Sequence, residues 1–323
     1  MTAPTLARDF AFDVRAGLTE REQKALPPKY FYDDLGSALF EAITLLPEYG
    51  LSRADERVVR RCAPELPGWF RGDVLLAELG SGSGRKTRSI LEAFRQAEAF
   101  RVHRPALEYY AIDVSRRALE ACRAELAPLA MVSPLECTYL QGISHLTAGR
   151  KQHQSLLVLF LGSTIGNFTE NEAEGFLKEL RSHLRPGDGL LLGADLVKAP
   201  AVLLRAYDDA LGITAAFNLN LLSRINRELG ACFDLGAFRH VALWNERESA
   251  IEMHLCSMVQ QKVAIPRADC VAEFREGETI WTESSHKYTP ARLGAMAEGT
   301  GFRAAGEWTD AEWAFAETLW LVE

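Results

Sequence analysis

An apolar run, Val74 to Leu79, leads into Gly80-Ser81-Gly82-Ser83-Gly84-Arg85-Lys86-Thr87, and a helical pattern carrying Ile90, Leu91, Phe94 and Ala97 leaves it. Strand, glycine-rich turn, helix is the setting in which a chain binds a nucleotide-like ligand: Gly80, Gly82 and Gly84 permit positive φ and leave bare backbone for the ligand. The helix start adds N–H groups with no partner of their own. A phosphate-cradling loop would need four residues between its glycines and a Gly-Lys-Ser/Thr ending, and a dinucleotide fingerprint would read Gly-x-Gly-x-x-Gly. This turn reads Gly-x-Gly-x-Gly behind Glu78, so neither fits, and a tight structural turn is the alternative for the glycines alone.

Around the turn, strand and helix alternate. The patterns predict strands at Val74–Leu79, Glu108–Val114, Leu135–Leu140, Ser155–Gly162 and Gly189–Ala194, and helices at Ala54–Cys62, Arg85–Ala97, Arg116–Leu126 and Asn171–Leu184. Leu156 to Leu161 is apolar on both faces, as a central parallel strand must be. The alternation implies a doubly wound parallel sheet, with ligands at the carboxyl ends of its strands. Asp113 closes the second strand, where an acid can accept both hydroxyls of a ribose. Its distance from Gly84 exceeds the usual ~20 residues, which an added loop at Gln96 to Pro105 explains. Asp113 or Ser115 could also cap the helix that follows. The fourth strand ends in Gly162-Ser163-Thr164-Ile165-Gly166-Asn167-Phe168. Asn167 carries both a donor and an acceptor; helix capping is its other reading, though Thr169 is better placed for that.

After Ala194 the periodicity changes. Helices are predicted at Ala201–Ala210 and Ile213–Leu229, then strands at Phe238–Trp244, Ala250–Val259 and Thr279–Lys287, followed by a helix from Thr289 and a final pair of strands ending at Ala316–Val322. The predicted division is one domain of residues 55–195 plus 286–323, and a second of 1–54 plus 196–285. The N-terminal stretch carries short amphipathic patterns at Thr19–Ala25 and Leu39–Leu46, and aromatics at Tyr30, Tyr32, Phe40 and Tyr49. Tyrosines of this kind suit a small-ligand pocket or core packing, and for Tyr30 core packing is preferred. Glu283 and Ser285, two apart on a predicted strand, share a face. A carboxylate and a hydroxyl so placed can grip a heteroaromatic N–H, or simply form a polar edge.

The net charge of −8 argues against a nucleic-acid substrate. Six cysteines without a Cys-x-x-Cys pair and seven scattered histidines without His-Glu-x-x-His predict reduced thiols and no metal site. No apolar run reaches ~18 residues, and Met1 to Arg15 lacks an apolar signal core. A cytoplasmic protein without membrane contact is expected.

These segments together resemble the histidine-specific S-adenosylmethionine (SAM)-dependent methyltransferases, which convert histidine to hercynine in ergothioneine biosynthesis. The glycine turn matches motif I of the class I SAM methyltransferases. The wider resemblance rests on Tyr32-Asp33-Asp34-Leu35-Gly36-Ser37, Leu46-Pro47-Glu48-Tyr49, Glu78 to Gly82, Phe160 to Asn167, Ala206-Tyr207-Asp208-Asp209, Ile225 to Leu229, Ile251 to Leu255 and Thr282-Glu283-Ser284-Ser285. It implies a class I SAM-methyltransferase, Rossmann-like doubly wound domain with a second, α+β substrate-binding domain, acting on a small-molecule amino acid as a monomer. It further implies SAM contacts from Gly80, Ser81, Gly82, Lys86 and Asp113. Tyr32, Asn167 and Tyr207 would hold the amine and carboxylate of the amino acid, with Asn167 and Tyr32 closest to the chemistry. Gly162 would border the substrate and Phe40 would wall its pocket. Tyr49, Glu283 and Ser285 would meet the imidazole, with Met253 lining that end. The family's usual acid for the adenine amine is missing: this chain has Gln141-Gly142-Ile143-Ser144 there, so Ser144 or a backbone carbonyl beside Gly142 would substitute. Gly50 stands where a second aromatic is common.

The chemistry implied needs no metal and no strong base. An α-amine titrates at about 7.7–8.0 in model peptides, so the neutral nucleophile is accessible near pH 7. Orientation alone supplies up to roughly 7–11 kcal/mol. The competing readings are a SAM-dependent N-methyltransferase of another amino acid such as tryptophan, whose indole pairs poorly with a buried carboxylate at Glu283, and a SAM-binding sensor without turnover.

Overall fold

The structure, a computed structural model, describes residues 3–97 and 107–323. The chain divides into two compact units, Met1–Gly50 with Lys198–His286 and Leu51–Val197 with Lys287–Glu323. It opens in the first unit with α1 (Ala3–Thr19), β1 (Lys24–Ala25), a 3-10 turn (Pro28–Phe31) and α2 (Asp34–Thr44). The second unit follows with α3 (Leu51–Cys62), β2 (Val74–Leu79), α4 (Arg88–Gln96), β3 (Glu108–Asp113), α5 (Arg116–Leu126), β4 (Met131–Glu136), α6 (Tyr139–Gly149), β5 (Ser155–Phe160), α7 (Glu170–Ser182) and β6 (Gly189–Asp195). The first unit resumes with α8 (Pro200–Tyr207), α9 (Ile213–Leu229), β7 (Phe238–Asn245), β8 (Ala250–Ser257), β9 (Gln261–Ile265), β10 (Cys270–Phe274) and β11 (Thr279–His286). The second closes with α10 (Pro290–Gly299), β12 (Arg303–Asp310) and β13 (Phe315–Leu321).

The second unit is built on one sheet, ordered β12-β13-β6-β5-β2-β3-β4. Strands β4, β3, β2, β5 and β6 run parallel, while β13 inserts antiparallel beside β6 and pairs with β12. Strand order reverses between β2 and β5, and such a switch point is where open α/β sheets bind ligands. Alternate residues of β2 explain the two-sided cover. Leu75, Ala77 and Leu79 join a core with Ile143, Phe176 and Leu293. Val74 and Leu76 join another with Val59, Ile90, Phe94 and Leu119. This is the Rossmann-like doubly wound architecture that the sequence pattern implies.

The first unit carries a sheet ordered β1-β11-β8-β7 and a separate β9–β10 hairpin. Strand β8 runs antiparallel to both of its neighbours, β7 and β11, and β1 adds a short parallel edge to β11. A bulge between Trp281 and Glu283 shifts the register of β11, after which Glu283 lies opposite Met253 and Ser285 opposite Ile251. Local signals set the helix ends: Asp33 caps α2 by accepting from the Gly36 N–H at 2.7 Å, and Gly230 ends α9 in the left-handed conformation.

Several expectations need correction. The third strand is Met131–Glu136 and not Leu135–Leu140, and Tyr139 already belongs to α6. Pro134 argues against a strand in the sequence, but β4 is an edge strand, where a missing N–H is tolerated. Thr19–Ala25 is no helix; α1 ends at Thr19 and Lys24–Ala25 pairs with β11. The helix expected from Ala54 begins at Leu51, so the units divide at Gly50/Leu51, Val197/Lys198 and His286/Lys287. The loop expected at Gln96 to Pro105 lies, from residue 98 on, outside the described residues. Among the described residues, no helix is long and apolar enough to cross a membrane.

Candidate active site

In the second unit the glycine turn is fastened to the end of β3. The N–H groups of Gly80 and Gly84 donate to Ile112 O and Ser81 O at 2.8 and 2.9 Å, and Gly82 N–H donates to Asp113 Oδ2 at 3.2 Å. Gly80, Gly82 and Gly84 have φ of 73°, 50° and 72°, the left-handed region that favours glycine. The other Asp113 oxygen accepts from Ser115 N–H at 2.8 Å, while Ser115 itself caps α5 through Ala118 N–H. Asp113 is therefore not the cap. Burial raises its carboxyl above the ordinary range, against the pull of the Ser115 and Gly82 N–H groups. Gly82 and Asp113, both expected at the cofactor, are brought together here.

Beneath the turn lies Glu78, buried, accepting from the Thr87 hydroxyl and the Tyr109 phenol. Burial pushes its carboxyl up to about 7, against those two donors. Lys86 pairs with the fully buried Asp55. A Cβ added at Gly162 would lie 3.3 Å from Lys86 Nζ, so the ammonium sits at the end of β5.

That strand end is a strained turn: Gly162 and Ser163 have φ of 75° and 59°. Three contacts hold it. Asp195 N–H donates to Ser163 Oγ at 2.9 Å, Thr164 Oγ1 donates to Leu161 O at 3.0 Å, and Tyr288 OH donates to Ile165 O at 3.2 Å. Asn167 ends a second 3-10 turn, Thr164–Asn167, and is half-buried; the cap of α7 is Thr169, in a reciprocal box with Glu172.

Gly142 and Ser144 stand differently from expectation. They lie on α6 and not just beyond a strand end, and Ser144 is exposed. A Cβ at Gly142 would come within 2.7 Å of the Ile112 side chain, so Gly142 lets α6 pack closely on β3. Sequence reasoning missed Tyr139, whose hydroxyl lies 3.1 Å from where a Gly80 Cβ would be. A strand was expected over that residue, which hid it.

In the first unit the expected substrate residues form a chain of rings. Tyr32 meets Phe40 edge-on at 5.7 Å, Phe40 meets Tyr49 at 6.4 Å, and Tyr49 meets Tyr207 at 6.0 Å. The Tyr207 phenol donates to Ser285 Oγ at 2.8 Å. Glu283 is half-buried on the same face of β11, with the buried Met253 opposite it on β8. Asp33 accepts from Asn220 Nδ2 at 2.8 Å and Arg227 at 2.5 Å, which anchors the start of α2 beside Tyr32. Burial pulls the Asp33 carboxyl up, but the donors of Gly36, Arg227 and Asn220 win and hold it below its usual range.

Two members of this group left no sequence signal. Phe217 of α9 stacks on Phe31 at 4.4 Å and lies about equally far from Tyr32 and Phe40, at 5.9 and 6.0 Å. His240 Nδ1 accepts from Asn218 Nδ2 at 2.9 Å, so its Nε2–H donates to Tyr207 O at 2.8 Å. Burial pushes this imidazole below its ordinary pKa. It is a neutral prop for the last turn of α8.

Taken separately, the second unit offers glycine backbone, a ribose-type acid and an ammonium, and the first offers phenols, a hydroxyl and a carboxylate. The profile of the family described as "Histidine-specific methyltransferase, SAM-dependent" matches residues 10–322. The chain belongs to this family. It is a SAM-dependent methyltransferase of the class I fold, consistent with the strand order above. The histidine N-alpha-methyltransferase of Mycolicibacterium smegmatis is 43% identical over 311 residues, covering 96% of this chain and 94% of that protein. The protein of the same name from Mycobacterium tuberculosis is 43% identical over 301 residues, covering 92% and 90%. Ergothioneine biosynthesis protein 1 of Neurospora crassa is 31% identical over 289 residues, covering 88% of this chain and 32% of that protein.

Proposed function

We propose that this methyltransferase acts on the α-amine of free L-histidine, three times in succession, to give hercynine for ergothioneine biosynthesis. The observation that carries the reading is the polar end of the ring chain: Tyr207 joined to Ser285, with Glu283 on the same face of β11. A hydroxyl that can donate and a carboxylate that can accept, spaced by one residue, suit the bare nitrogen and the N–H of a neutral imidazole, and suit an indole poorly. The names of the two 43% identical relatives support the same substrate.

The donor group supplies an electrophilic methyl carried on a sulfonium. The residues present fit such a group: Asp113 is a half-buried carboxylate for a ribose, Gly82 would leave open space even with a Cβ, and Lys86 is a cation for a carboxylate. The rest of the task is orientation. Asn167 can both donate to the carboxylate and accept from the amine of the amino acid. Tyr32 and Tyr207, in the first unit, carry phenols, and phenol faces tolerate the cation that grows with each methyl. Holding the lone pair of a neutral amine in line is worth up to roughly 7–11 kcal/mol, which leaves little work for a base.

The deciding experiment mixes the protein with SAM and each of the free amino acids, and reads products by mass. Trimethylated histidine is expected. Turnover of tryptophan in preference to histidine, or no turnover of either, would overturn the assignment.

A further inference from the structure

Three carboxyl groups crowd one ammonium in the second unit. Asp55 of α3 and Glu317 of β13 are fully buried, and Glu78 of β2 nearly so, around Lys86. Their partners are unequal. Glu78 accepts from Thr87 and Tyr109, and Asp55 Oδ2 accepts from Lys86. With every acid ionised, Asp55 Oδ1 and both Glu317 oxygens would have no donor. One proton on Glu317 cures this, because the two carboxyl groups face each other and a hydrogen bond can then run between them. Burial, first, and the nearby Asp55 charge drive Glu317 towards its neutral form, while Lys86 pulls the other way. Glu78 and the buried thiol of Cys62 feel the same cluster.

The fold makes room for this acid. Glu317 pairs with Gly193 across β13 and β6, and a Cβ at Gly193 would lie 2.6 Å from Glu317 Oε1. A glycine inside a fully buried strand weakens it unless something needs the space. Here the glutamate side chain occupies it. An isolated buried carboxylate is strongly disfavoured, so an acid kept in such a place is neutral or well paired.

We propose that Glu317 is a positioning residue of the cofactor half: as a neutral acid it donates to Asp55, and the braced Asp55 fixes the Lys86 ammonium beside Gly162, where it serves the carboxylate of the methyl donor. This rests on the reading of Lys86 as a donor contact. Without Glu317, Asp55 would have a second oxygen seeking a donor, and the ammonium would be drawn inward.

The test measures binding of S-adenosylhomocysteine by calorimetry, with melting curves, for wild type, Lys86→Met, Asp55→Asn, Glu317→Gln and Glu317→Leu. Lys86→Met and Glu317→Leu should each weaken binding by about tenfold, the loss of one charge-assisted hydrogen bond. Glu317→Gln should stay within about twofold, because its amide can still donate to Asp55. In a Lys86→Met background, Glu317→Leu should add nothing, whereas a merely structural role would add its own loss. If Lys86→Met binds normally, the reading of Lys86 falls. If Lys86→Met weakens binding but folded Glu317→Leu does not, the positioning role falls alone. Infrared spectra at neutral pH decide the protonation state even should Glu317→Leu fail to fold. Since Glu78, titrating at about 7, adds a protonated-carboxyl band of its own at neutral pH, the expected result is a wild-type band that loses a component in Glu317→Gln, and a band unchanged by that substitution would overturn the inference.

Discussion

The phenol of Tyr207, at the last residue of α8, donates to the hydroxyl of Ser285, 78 positions later on β11, at 2.8 Å. The bond ties a helix end to the strand that bears Glu283. It also couples the chain of rings from Tyr32 to the polar groups proposed for the imidazole. Tyr207→Phe keeps the ring in its place against Tyr49 and removes only the donor. The expected result is a rise in KM for histidine of about tenfold, with a loss of stability near 1 kcal/mol. Steady-state kinetics with histidine varied at saturating SAM checks it, and an unchanged KM would separate Tyr207 from the substrate.

Glu283 is the proposed source of selectivity. It lies opposite the buried Met253, so its carboxylate stands beside an apolar wall. An indole would present its N–H from a different place on a larger ring, a mismatch worth about 1–3 kcal/mol. Glu283→Ala removes both the grip on imidazole and the penalty against indole. The ratio of kcat/KM for histidine over tryptophan should fall by about tenfold or more. An unchanged ratio in competition assays would remove Glu283 from the recognition of the ring.

Glu78 predicts a pH dependence of stability. Folded, it titrates at about 7 because it is buried; unfolded, a glutamate titrates at about 4.3. Between these values the folded state holds the proton more tightly than the unfolded chain. Its contribution is fully present below about 4.3 and is lost as pH rises through about 7. At about 1.4 kcal/mol per pH unit, the change amounts to about 4 kcal/mol. Urea unfolding at a series of pH values, for wild type and Glu78→Gln, isolates it: the difference between the two proteins should vary across this window and be flat above it. A difference constant with pH would show Glu78 to titrate in the folded protein as it does in the unfolded chain.

Much of the second unit is legible in its sequence because local pattern and fold agree there. The apolar run of β5, the glycine turn and the Thr169 box each carry their own signal within a few residues. The failures share a physical cause. Pro134 breaks a strand pattern, and only its place at a sheet edge makes it harmless. The hairpin β9–β10 alternates buried and exposed residues over only five positions per strand, too short to stand out. Tyr32 and Tyr207 come from the family resemblance. Phe217 and His240 do not, since their roles exist only through residues distant in sequence: Phe217 is 186 positions from Phe31, and His240 is 33 from Tyr207.

A buried ion pair fixes the turn before β6. Arg150 and Asp188 meet through two bonds of 2.8 Å, with side chains 3% and 0% exposed. Asp188 also accepts from the N–H groups of Leu156 and Arg185, at 2.8 and 2.9 Å. It thus links the start of β5 to the turn that opens β6. Arg150→Met removes one partner of this pair and leaves a buried carboxylate short of two donors. A loss of about 3–5 kcal/mol is expected, the usual consequence of breaking a buried pair. Chemical denaturation measures it, and a loss below about 1 kcal/mol would place this arginine with ordinary surface charges.

Gly142 is the last case, and it separates packing from binding. The family resemblance puts it near the adenine, yet its Cα faces Ile112: an added Cβ would lie 2.7–2.8 Å from three atoms of that side chain. Helix α6 packs on β3 through this contact, and β3 ends in Asp113. Gly142→Ala therefore forces α6 or Ile112 to move, and overpacking of this kind costs about 1–3 kcal/mol. Ile112→Val trims one of the crowded atoms, so the double variant should recover part of that loss. If Gly142 only packs, affinity for S-adenosylhomocysteine should recover together with stability in the double variant. Restored stability with affinity still weakened would instead place Gly142 against the bound nucleoside.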